Sequence, residues 1–259
     1  MKIRNALLII LGLFFGLILL LDCSHGKKKV ESVQDSIGQE ISMVSERMNT
    51  LSELEIEEGW VLLFDGKTMN GWRNFQSEEI PKGWKVEDGN LIALGLGGDI
   101  GGDIVSEKEF ENFHLKLEWK IEEGGNSGIL YHVKEGDYSA VYVTGPEYQI
   151  IDDIGYPDTL EDWQTCGANY ALHVPVNSKI KPAGEWNSSE IIVDGAMVTH
   201  FLNGSKVVEF EMWTEEWNTL VENSKWKDFP DYGKAHKGHL SLQDHGSLTS
   251  FRNIKIKEL

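Results

Sequence analysis

The stretch Phe113-His-Leu-Lys-Leu-Glu-Trp-Lys-Ile121 decides the fold class of this chain of 259 residues. Apolar residues occupy its odd-numbered positions, and histidine, lysine or glutamate occupies the even-numbered ones. Because successive side chains of a β-strand point to opposite faces, this alternation predicts a strand with one buried and one solvated face. Such a strand needs a second layer of structure over its apolar face.

Short strands and tight turns continue on both sides of this stretch. Asp88-Gly89 and Asn203-Gly204 are dipeptides that favour two-residue hairpin turns. The segment 213–237 is predicted to form a long loop with short helical turns. The pattern predicts an all-β sandwich or jelly roll of about 200 residues, because many short strands occur without a strong helix. The further predicted strands are Glu190–Asp194, Met197–Leu202, Lys206–Phe210, Gly238–Gln243 and Ser250–Lys257.

Residues 1–23 have the order of an export signal, in which basic residues precede an apolar run and Cys23 follows it. This order predicts a bacterial lipoprotein with Cys23 as the lipidated residue, although Asp22 stands where a small residue is usual. The alternative is an uncleaved N-terminal anchor, for which the apolar run is slightly short. Both interpretations place the protein in the cell envelope, exported and membrane-anchored, facing the periplasm or the surface.

Residues 24–56 predict a helical stalk before a β-sandwich domain at 57–259. Apolar residues there recur at steps of three and four, which is the spacing of one helix face. We expect the helix over residues 27–58 to pack on the domain or to mediate self-association. The residues of this stripe are Ile37, Ile41, Val44, Met48 and Leu51.

Charge and cysteine content restrict the partners and the redox chemistry. The chain has 24 basic and 42 acidic residues, and its net charge of −18 argues against nucleic acid or anionic polymers as ligands. Nine tryptophans and seven tyrosines suit neutral sugars, whose CH faces pack on aromatic rings. Besides Cys23 only Cys166 is present, which predicts a small buried thiol and no internal disulfide.

The predicted strand that begins at Glu147 carries the most informative polar pair. Glu147 and Gln149 are two residues apart and therefore share a sheet face, whereas Asp152 joins them only if a bulge adds one residue. A carboxylate and an amide on one face suit a polyhydroxylated ligand or acid–base chemistry. Direct glycoside cleavage uses two carboxyl groups about 5–9 Å apart, so this strand is one acid short of that arrangement.

Three other clusters supply candidate ligand-binding side chains, each with an ordinary structural alternative such as a hairpin turn or a buried tryptophan. The first is a glycine-flanked turn before a strand, the second a Pro/Gly turn with an aromatic residue, and the third a strand end followed by Asp244-His245. The candidates from these clusters, with the arginine that follows, are Asn126, Ser127, His132, Trp186, Asn187, Gln243, His245 and Arg252.

These motifs together resemble the 3-keto-disaccharide hydrolase family, also described as 3-keto-glucoside 1,2-lyase and 3-keto-2-hydroxyglucal hydratase. The resemblance covers residues 57–259. It implies a concanavalin-A-like jelly-roll sandwich, and cleavage of an oxidised sugar or disaccharide in bacterial carbohydrate catabolism. The segments that carry it, in order, are Gly59–Trp72, Asn126–Ile129, Glu147–Asp152, Gly184–Asn187, Leu202–Gly204, Leu242–Gly246 and Phe251–Ile254.

The chemistry implied by the resemblance needs one positioned base. A ketone at carbon 3 acidifies the hydrogen on carbon 2, and the resulting enolate expels the group at carbon 1, after which water can add. Glu147 and His245 are then the expected base and acid, with His132 and His173 as other candidates for the base. Side chains expected to orient the sugar, stabilise the enolate or stack on the ring are Asn126, Gln149, Trp186, Gln243 and Arg252.

Three rival interpretations stay open at this point, and no cofactor is firmly implied. A divalent ion held by histidine and carboxylate ligands is compatible with the chemistry, but no ligand spacing requires one. The rivals are a non-catalytic carbohydrate-binding lipoprotein, an ordinary glycosidase of the laminarinase type, and an envelope scaffold that associates through its stalk.

Overall fold

The computed structural model describes residues 48–79, 82–97 and 102–259. Within these residues the chain forms thirteen β-strands and two short α-helices, α1 (Glu53–Glu57) and α2 (Glu215–Glu222). The strands are β1 (Val61–Leu62), β2 (Trp72–Asn74), β3 (Trp84–Glu87), β4 (Asn90–Leu94), β5 (Ile104–Phe110), β6 (Phe113–Ile121), β7 (Asn126–Val133), β8 (Glu147–Ile151), β9 (Asn187–Asp194), β10 (Met197–Leu202), β11 (Ser205–Glu211), β12 (Gly238–Leu242) and β13 (Leu248–Glu258). Short 3₁₀ helices span Val141–Val143, Asp162–Gln164 and Lys225–Asp228.

The strands form two antiparallel sheets that pack face to face. The larger sheet has the order β11-β10-β9-β6-β13-β4-β3, with β1 also paired to β13, and the smaller has the order β2-β5-β12-β7-β8. Residues of β6 alternate between buried and half-buried over their whole length, as the sequence predicts. One hydrophobic core joins Trp119 and Phe113 of the larger sheet to Tyr131 and Tyr148 of the smaller. The all-β sandwich prediction is confirmed.

Several local predictions are confirmed as well. Asp88-Gly89 connects β3 to β4, and Asn203-Gly204 connects β10 to β11. All four of these residues have positive φ, which is the geometry of a type I′ hairpin turn. The segment between β11 and β12 contains α2 and the 3₁₀ helix Lys225–Asp228, in agreement with a loop that has short helical turns. Cys166 is a fully buried free thiol.

The predicted helix stripe is wrong at its C-terminal end. Met48 lies in a turn and Leu51 in irregular structure, and α1 begins only at Glu53. The backbone N–H of Asn49 donates to Asn253 Oδ1 at 2.7 Å, and the amide of Asn49 donates to the Gly89 carbonyl at 2.8 Å. These residues therefore belong to the sandwich and not to a stalk.

The remaining N-terminal predictions fall on residues 1–47, outside the described part of the chain. They comprise the signal segment, the lipidation at Cys23 and the rest of the stalk, and they remain predictions. Within the three described ranges, no helix has both the length and the hydropathy needed to span a membrane.

Candidate active site

The smaller sheet has one face on the main core, and its other face carries both a small apolar cluster, which includes Val105 and Leu130, and polar side chains. Ile104, Leu242 and Tyr148 point into the core. Because strand side chains alternate, the residues next to them in β5, β12 and β8 point away from the core. The polar residues on this outward face, including those just beyond the strand ends, form the candidate site.

Register places four of these residues in one row across neighbouring strands, here called the polar row. Gly128 of β7 pairs with Gln149 of β8, and the N–H of Gln243 donates to the Gly128 carbonyl at 3.0 Å. Ser241 pairs with Val105 and Leu242 with Ile104, so the same register sets Gln243 opposite Asp103. The polar row is therefore Gln149, Gly128, Gln243 and Asp103.

The side chain of Glu147 lies over Gly128, in the middle of the polar row. A Cβ atom built on Gly128 would come within 3.0 Å of Glu147 Cδ and 3.1 Å of Cγ, and closer still to Oε1. Since Gly128 has no side chain, the carboxyl group of Glu147 rests on the backbone between Gln149 and Gln243. Glu147 is buried, with 5% of its surface exposed.

Three amide side chains on this face have oxygen atoms without a partner in the described part of the chain. Asn126 Oδ1, Gln149 Oε1 and Gln243 Oε1 are buried and accept no hydrogen bond from any residue that the structure describes. Asn126 pairs with Ile151, which puts it on the same sheet face as Glu147 and Gln149. Buried polar groups normally find partners, so this group of free acceptors indicates a place for a polar ligand.

Burial dominates the electrostatics of Glu147. It raises the pKa of the Glu147 carboxyl group to about 8, because an ionised carboxylate loses hydration there. The positive charge of Lys225 opposes this effect, and the negative charge of Asp103 adds to it. The group thus titrates close to neutral pH, where acid–base catalysts are most effective.

Residues 167–170 hydrogen-bond to the outer edge of β8, and the long segment between β11 and β12 adds side chains beside them. Lys225 Nζ lies 4.4 Å from the ring centroid of Tyr170 and 4.7 Å from that of Trp226. Tyr232 stacks on Trp226 at 4.5 Å, and its buried hydroxyl group has no partner among the described residues. This segment therefore brings a cation, aromatic rings and a free hydroxyl group to the edge of the site.

Asp103 and Asp244 lie at the opposite end of the polar row. Asp103 Oδ1 accepts a hydrogen bond from the Asp244 N–H at 3.0 Å, and burial raises the pKa of Asp103 to about 7. Asp244 Oδ1 accepts from the N–H groups of Gly97 and Gly246, while its buried Oδ2 is free of partners in the described chain. The sequence offered no signal for Asp103, because its place depends on long-range pairing.

His245 lies in the exposed turn that follows Gln243. The neighbouring aspartate does not orient it, since Asp244 Oδ1 serves backbone N–H groups of the same turn region. The structure gives the His245 ring no hydrogen bond to a described residue. The acids that are buried at the site are Glu147, Asp103 and Asp244.

Three predicted ligand-binding residues make hydrogen bonds within the protein and lie apart from the polar row. Ser127 points to the core face, opposite Ile150, and its hydroxyl group donates to the Gln243 carbonyl at 2.8 Å. His132 is buried and contacts the Glu111 carbonyl at 2.8 Å. Asp152 accepts from the N–H groups of two loop residues, Gly124 and Ile154, and β8 contains no bulge that turns it toward Glu147.

Three others lie on the outer face of the larger sheet or in its loops. The guanidinium carbon of Arg252 lies 3.9 Å from the Trp186 ring centroid, and Arg252 Nε donates to Glu118 at 2.6 Å. Asn187 Oδ1 accepts from the Lys181 N–H at 2.8 Å and anchors a loop. The structure places these three residues with the larger sheet and Glu147 with the smaller one, and their role in sugar binding stays a prediction.

His173 is not part of this cluster. It stacks on Phe210 at 4.4 Å, and burial lowers its pKa to about 4, so the ring is neutral at pH 7. Among the described residues, no group of three or more histidine, cysteine, aspartate or glutamate side chains is arranged to hold a metal ion.

Comparison with known proteins identifies the family. Residues 59–257 match the model of the 3-keto-alpha-glucoside-1,2-lyase-like domain. The chain belongs to this family. A 3-keto-disaccharide hydrolase from Bacteroides thetaiotaomicron is 33% identical over 274 aligned positions, which cover 93% of this chain and 94% of that protein.

Solved structures agree with this assignment to the family. A protein from Parabacteroides distasonis ATCC 8503, provisionally described as a glycosyl hydrolase, shares 46% identity and a TM-score of 0.78 over 82% of this chain and 100% of its own. A second protein of that strain and description shares 32% identity and a TM-score of 0.58 over 73% of this chain and 100% of its own. The resemblance predicted from the ordered motifs is confirmed.

Proposed function

We propose that this protein cleaves 3-keto-glycosides by elimination across carbons 1 and 2, in bacterial sugar catabolism. Addition of water to the unsaturated product makes the net reaction a hydrolysis. The observation that carries the proposal is the buried carboxyl group of Glu147, which rests on Gly128 near three amide oxygens that have no partner among the described residues. Family membership and the name of the Bacteroides thetaiotaomicron relative support the substrate class.

Glu147 is the proposed base that removes the hydrogen from carbon 2. A carboxylate whose pKa burial has raised to about 8 is a stronger base, once ionised, than one in water. The ketone acidifies that hydrogen, so a single carboxylate suffices. The electron pair of the bond between carbon 2 and its hydrogen then becomes part of the enolate.

Lys225 and the amide side chains hold the oxidised sugar during this step. The ammonium group of Lys225 is the cation whose charge acts on Glu147, so it also acts on an enolate oxygen that forms beside it. Asn126, Gln149 and Gln243 bind ring hydroxyl groups. Tyr170 and Trp226, on which Lys225 lies, border the same end of the site.

The test is turnover of a 3-keto-glucoside and of the matching unoxidised glucoside by the full chain. We expect release of the aglycone from the oxidised substrate alone, and its loss in Glu147→Gln, which keeps the shape of the side chain. Binding of both sugars without turnover favours the carbohydrate-binding alternative. Equal cleavage of both substrates favours an ordinary glycosidase and contradicts the proposal.

A further inference from the structure

We propose that Asp103 is a second catalytic residue, which protonates the leaving-group oxygen on carbon 1 after Glu147 has taken the proton from carbon 2. This role rests on the proposed function. It assigns the acid of the reaction to a residue that is far from Glu147 in sequence. The pairing of β5 with β12 brings this residue into the polar row.

Position on the sheet is the first argument. Asp103 precedes Ile104, which points into the core, so its side chain points to the polar face. Gly128, under the Glu147 carboxyl group, and Asp103 are two strand spacings apart in the polar row, or roughly 10 Å between backbones. A ligand lying on Gln243, between these two positions, meets one carboxyl group from each side.

The backbone around Asp103 is anchored on both sides. The Asp103 carbonyl accepts from the Phe75 N–H at 3.0 Å, and the Gly102 carbonyl accepts from the Trp84 indole N–H at 2.8 Å. Asp103 Oδ1 is fixed by the Asp244 N–H at 3.0 Å. Asp103 Oδ2 forms no hydrogen bond within the described ranges, so this oxygen is free to present a proton to a ligand.

Charge assigns the two carboxyl groups to opposite ends of the substrate. Lys225 acts on Glu147 at the β8 end, which favours the ketone and its enolate there. The leaving group then lies toward Asp103. Burial and the nearby negative charge of Asp244 raise the pKa of Asp103 to about 7, so a large fraction carries a proton at neutral pH.

The proton balance closes over one full cycle. Glu147 takes the proton from carbon 2, the bond from carbon 1 to the leaving oxygen breaks, and that oxygen takes both bonding electrons and the proton of Asp103. When water adds to carbon 1, Asp103 removes a proton from it, and Glu147 returns its proton to carbon 2. Both carboxyl groups are then in their starting states.

The experiment compares methyl and 4-nitrophenyl 3-keto-glucosides of one anomeric configuration, with enzyme-free controls. Methoxide needs a proton to leave, whereas nitrophenolate does not. We expect Asp103→Asn to lower kcat for the methyl glycoside by about 10²- to 10⁴-fold, and to change the nitrophenyl rate less than about tenfold. Glu147→Gln loses both activities. Asparagine keeps the acceptor for the Asp244 N–H, and thermal unfolding checks the fold.

A second measurement needs no variant. Since Asp103 must be protonated and Glu147 ionised, kcat/KM of the wild type for the methyl glycoside passes through a maximum between pH 7 and pH 8, the values near which the two groups titrate. For the nitrophenyl glycoside it levels off above pH 8, because only Glu147 matters.

The two possible failures are distinguishable. Wild-type turnover of both glycosides, with equal losses in Asp103→Asn and identical pH profiles, overturns the role of Asp103 and leaves the proposed function intact. Turnover of neither oxidised glycoside by the wild type overturns the proposed function and the role of Asp103 with it.

Discussion

The carboxyl group of Glu147 occupies space that only a glycine at position 128 leaves open. A methyl group added at position 128 would meet the Glu147 side chain before any backbone atom. We therefore predict that Gly128→Ala displaces the carboxyl group and lowers kcat/KM by at least about 100-fold, the usual contribution of a positioned base. The expected shift in melting temperature is small, because the flexible side chain can move.

Glu147→Gln is the comparison for this prediction. Combining it with Gly128→Ala should produce little further loss, since both changes remove the same group. A Gly128→Ala protein that keeps wild-type kcat/KM would show that the carboxyl group does not need its place above the polar row.

Single residues also show how much of the site can be predicted from the sequence. Alternation alone predicts Glu147 and Gln149 on one face, and the register of β8 agrees, whereas Asp152 lies beyond the strand and accepts from a loop N–H group. Asp103 was not predicted, because only the carboxyl groups of the strand that begins at Glu147 were considered. The polar face has a second carboxyl group, so the missing acid no longer argues against a glycosidase, and the proposed chemistry rests on the family and on the test with unoxidised sugar.

At the scale of elements, the 3₁₀ helix Lys225–Asp228 contributes the cation of the site. Lys225 lowers the pKa of Glu147, so its removal should raise that pKa. We predict that Lys225→Gln shifts the acidic limb of the pH–rate profile to higher pH and lowers kcat. The measurement is kcat/KM for the nitrophenyl 3-keto-glucoside between pH 5 and pH 9.

Lys227 supplies a matched control in the same short helix, because it is exposed like Lys225 but, among the described residues, does not lie over Tyr170 or Trp226. Lys227→Gln should leave the limb in place. Equal shifts in both variants would point to the net charge of the protein rather than to a local interaction.

Strand β13 places Arg252 on a different sheet from Gln243. It follows β12 closely in sequence, yet β12 belongs to the smaller sheet and β13 to the larger. Nearness in sequence therefore does not mean nearness to Gln243. Sheet membership depends on pairings such as β5 with β12, between residues more than one hundred positions apart, which single-strand patterns do not reveal.

A structural role for Arg252 makes its own prediction. The Arg252→Ala variant loses the contact with Trp186 and the ion pair with Glu118, so we expect unfolding free energy to fall by about 1 kcal/mol. Urea unfolding measures this loss. Activity should stay within about twofold of the wild type. Unchanged stability together with a large loss of kcat would show that Arg252 acts in the active site.

For the whole molecule, His200 at the core links stability to pH. Its Nδ1 lies 3.1 Å from the Gly167 carbonyl, which can only accept, so Nε2 is the acceptor toward the Tyr131 hydroxyl group at 3.3 Å. Burial lowers the pKa of His200 to about 3, below the value of 6.5 for an exposed histidine. Between these values the unfolded chain binds a proton that the folded protein does not.

Stability from His200 is therefore complete above pH 6.5 and is lost as pH falls toward 3. Buried acids such as Asp153, whose raised pKa is about 6, act in the opposite direction, so we compare variants. We predict that the stability advantage of the wild type over His200→Gln shrinks below pH 6.5 by up to about 1.4 kcal/mol per pH unit. Urea unfolding of both proteins at pH 7, 6 and 5 measures this change.

The sandwich was predictable as a whole because its signals are local: alternation in β6 and two-residue turns at Asp88-Gly89 and Asn203-Gly204. The site was predictable only in part, because it combines one such strand with partners set by sheet order. The segment between β11 and β12 is the clearest case, since nothing in its composition indicates that Lys225 acts on Glu147.

The position of β8 at the end of its sheet has an evolutionary consequence. A terminal strand has no strand beyond it, so the chain that encloses its outer side is a connection, and connections tolerate insertion, deletion and exchange. Homologues can thus change the loops around β8 while the strand that carries Glu147 stays the same. They can accept different aglycones without a change in the sandwich. Grafting residues 213–237 from one homologue into another is then a direct route to new substrate preference.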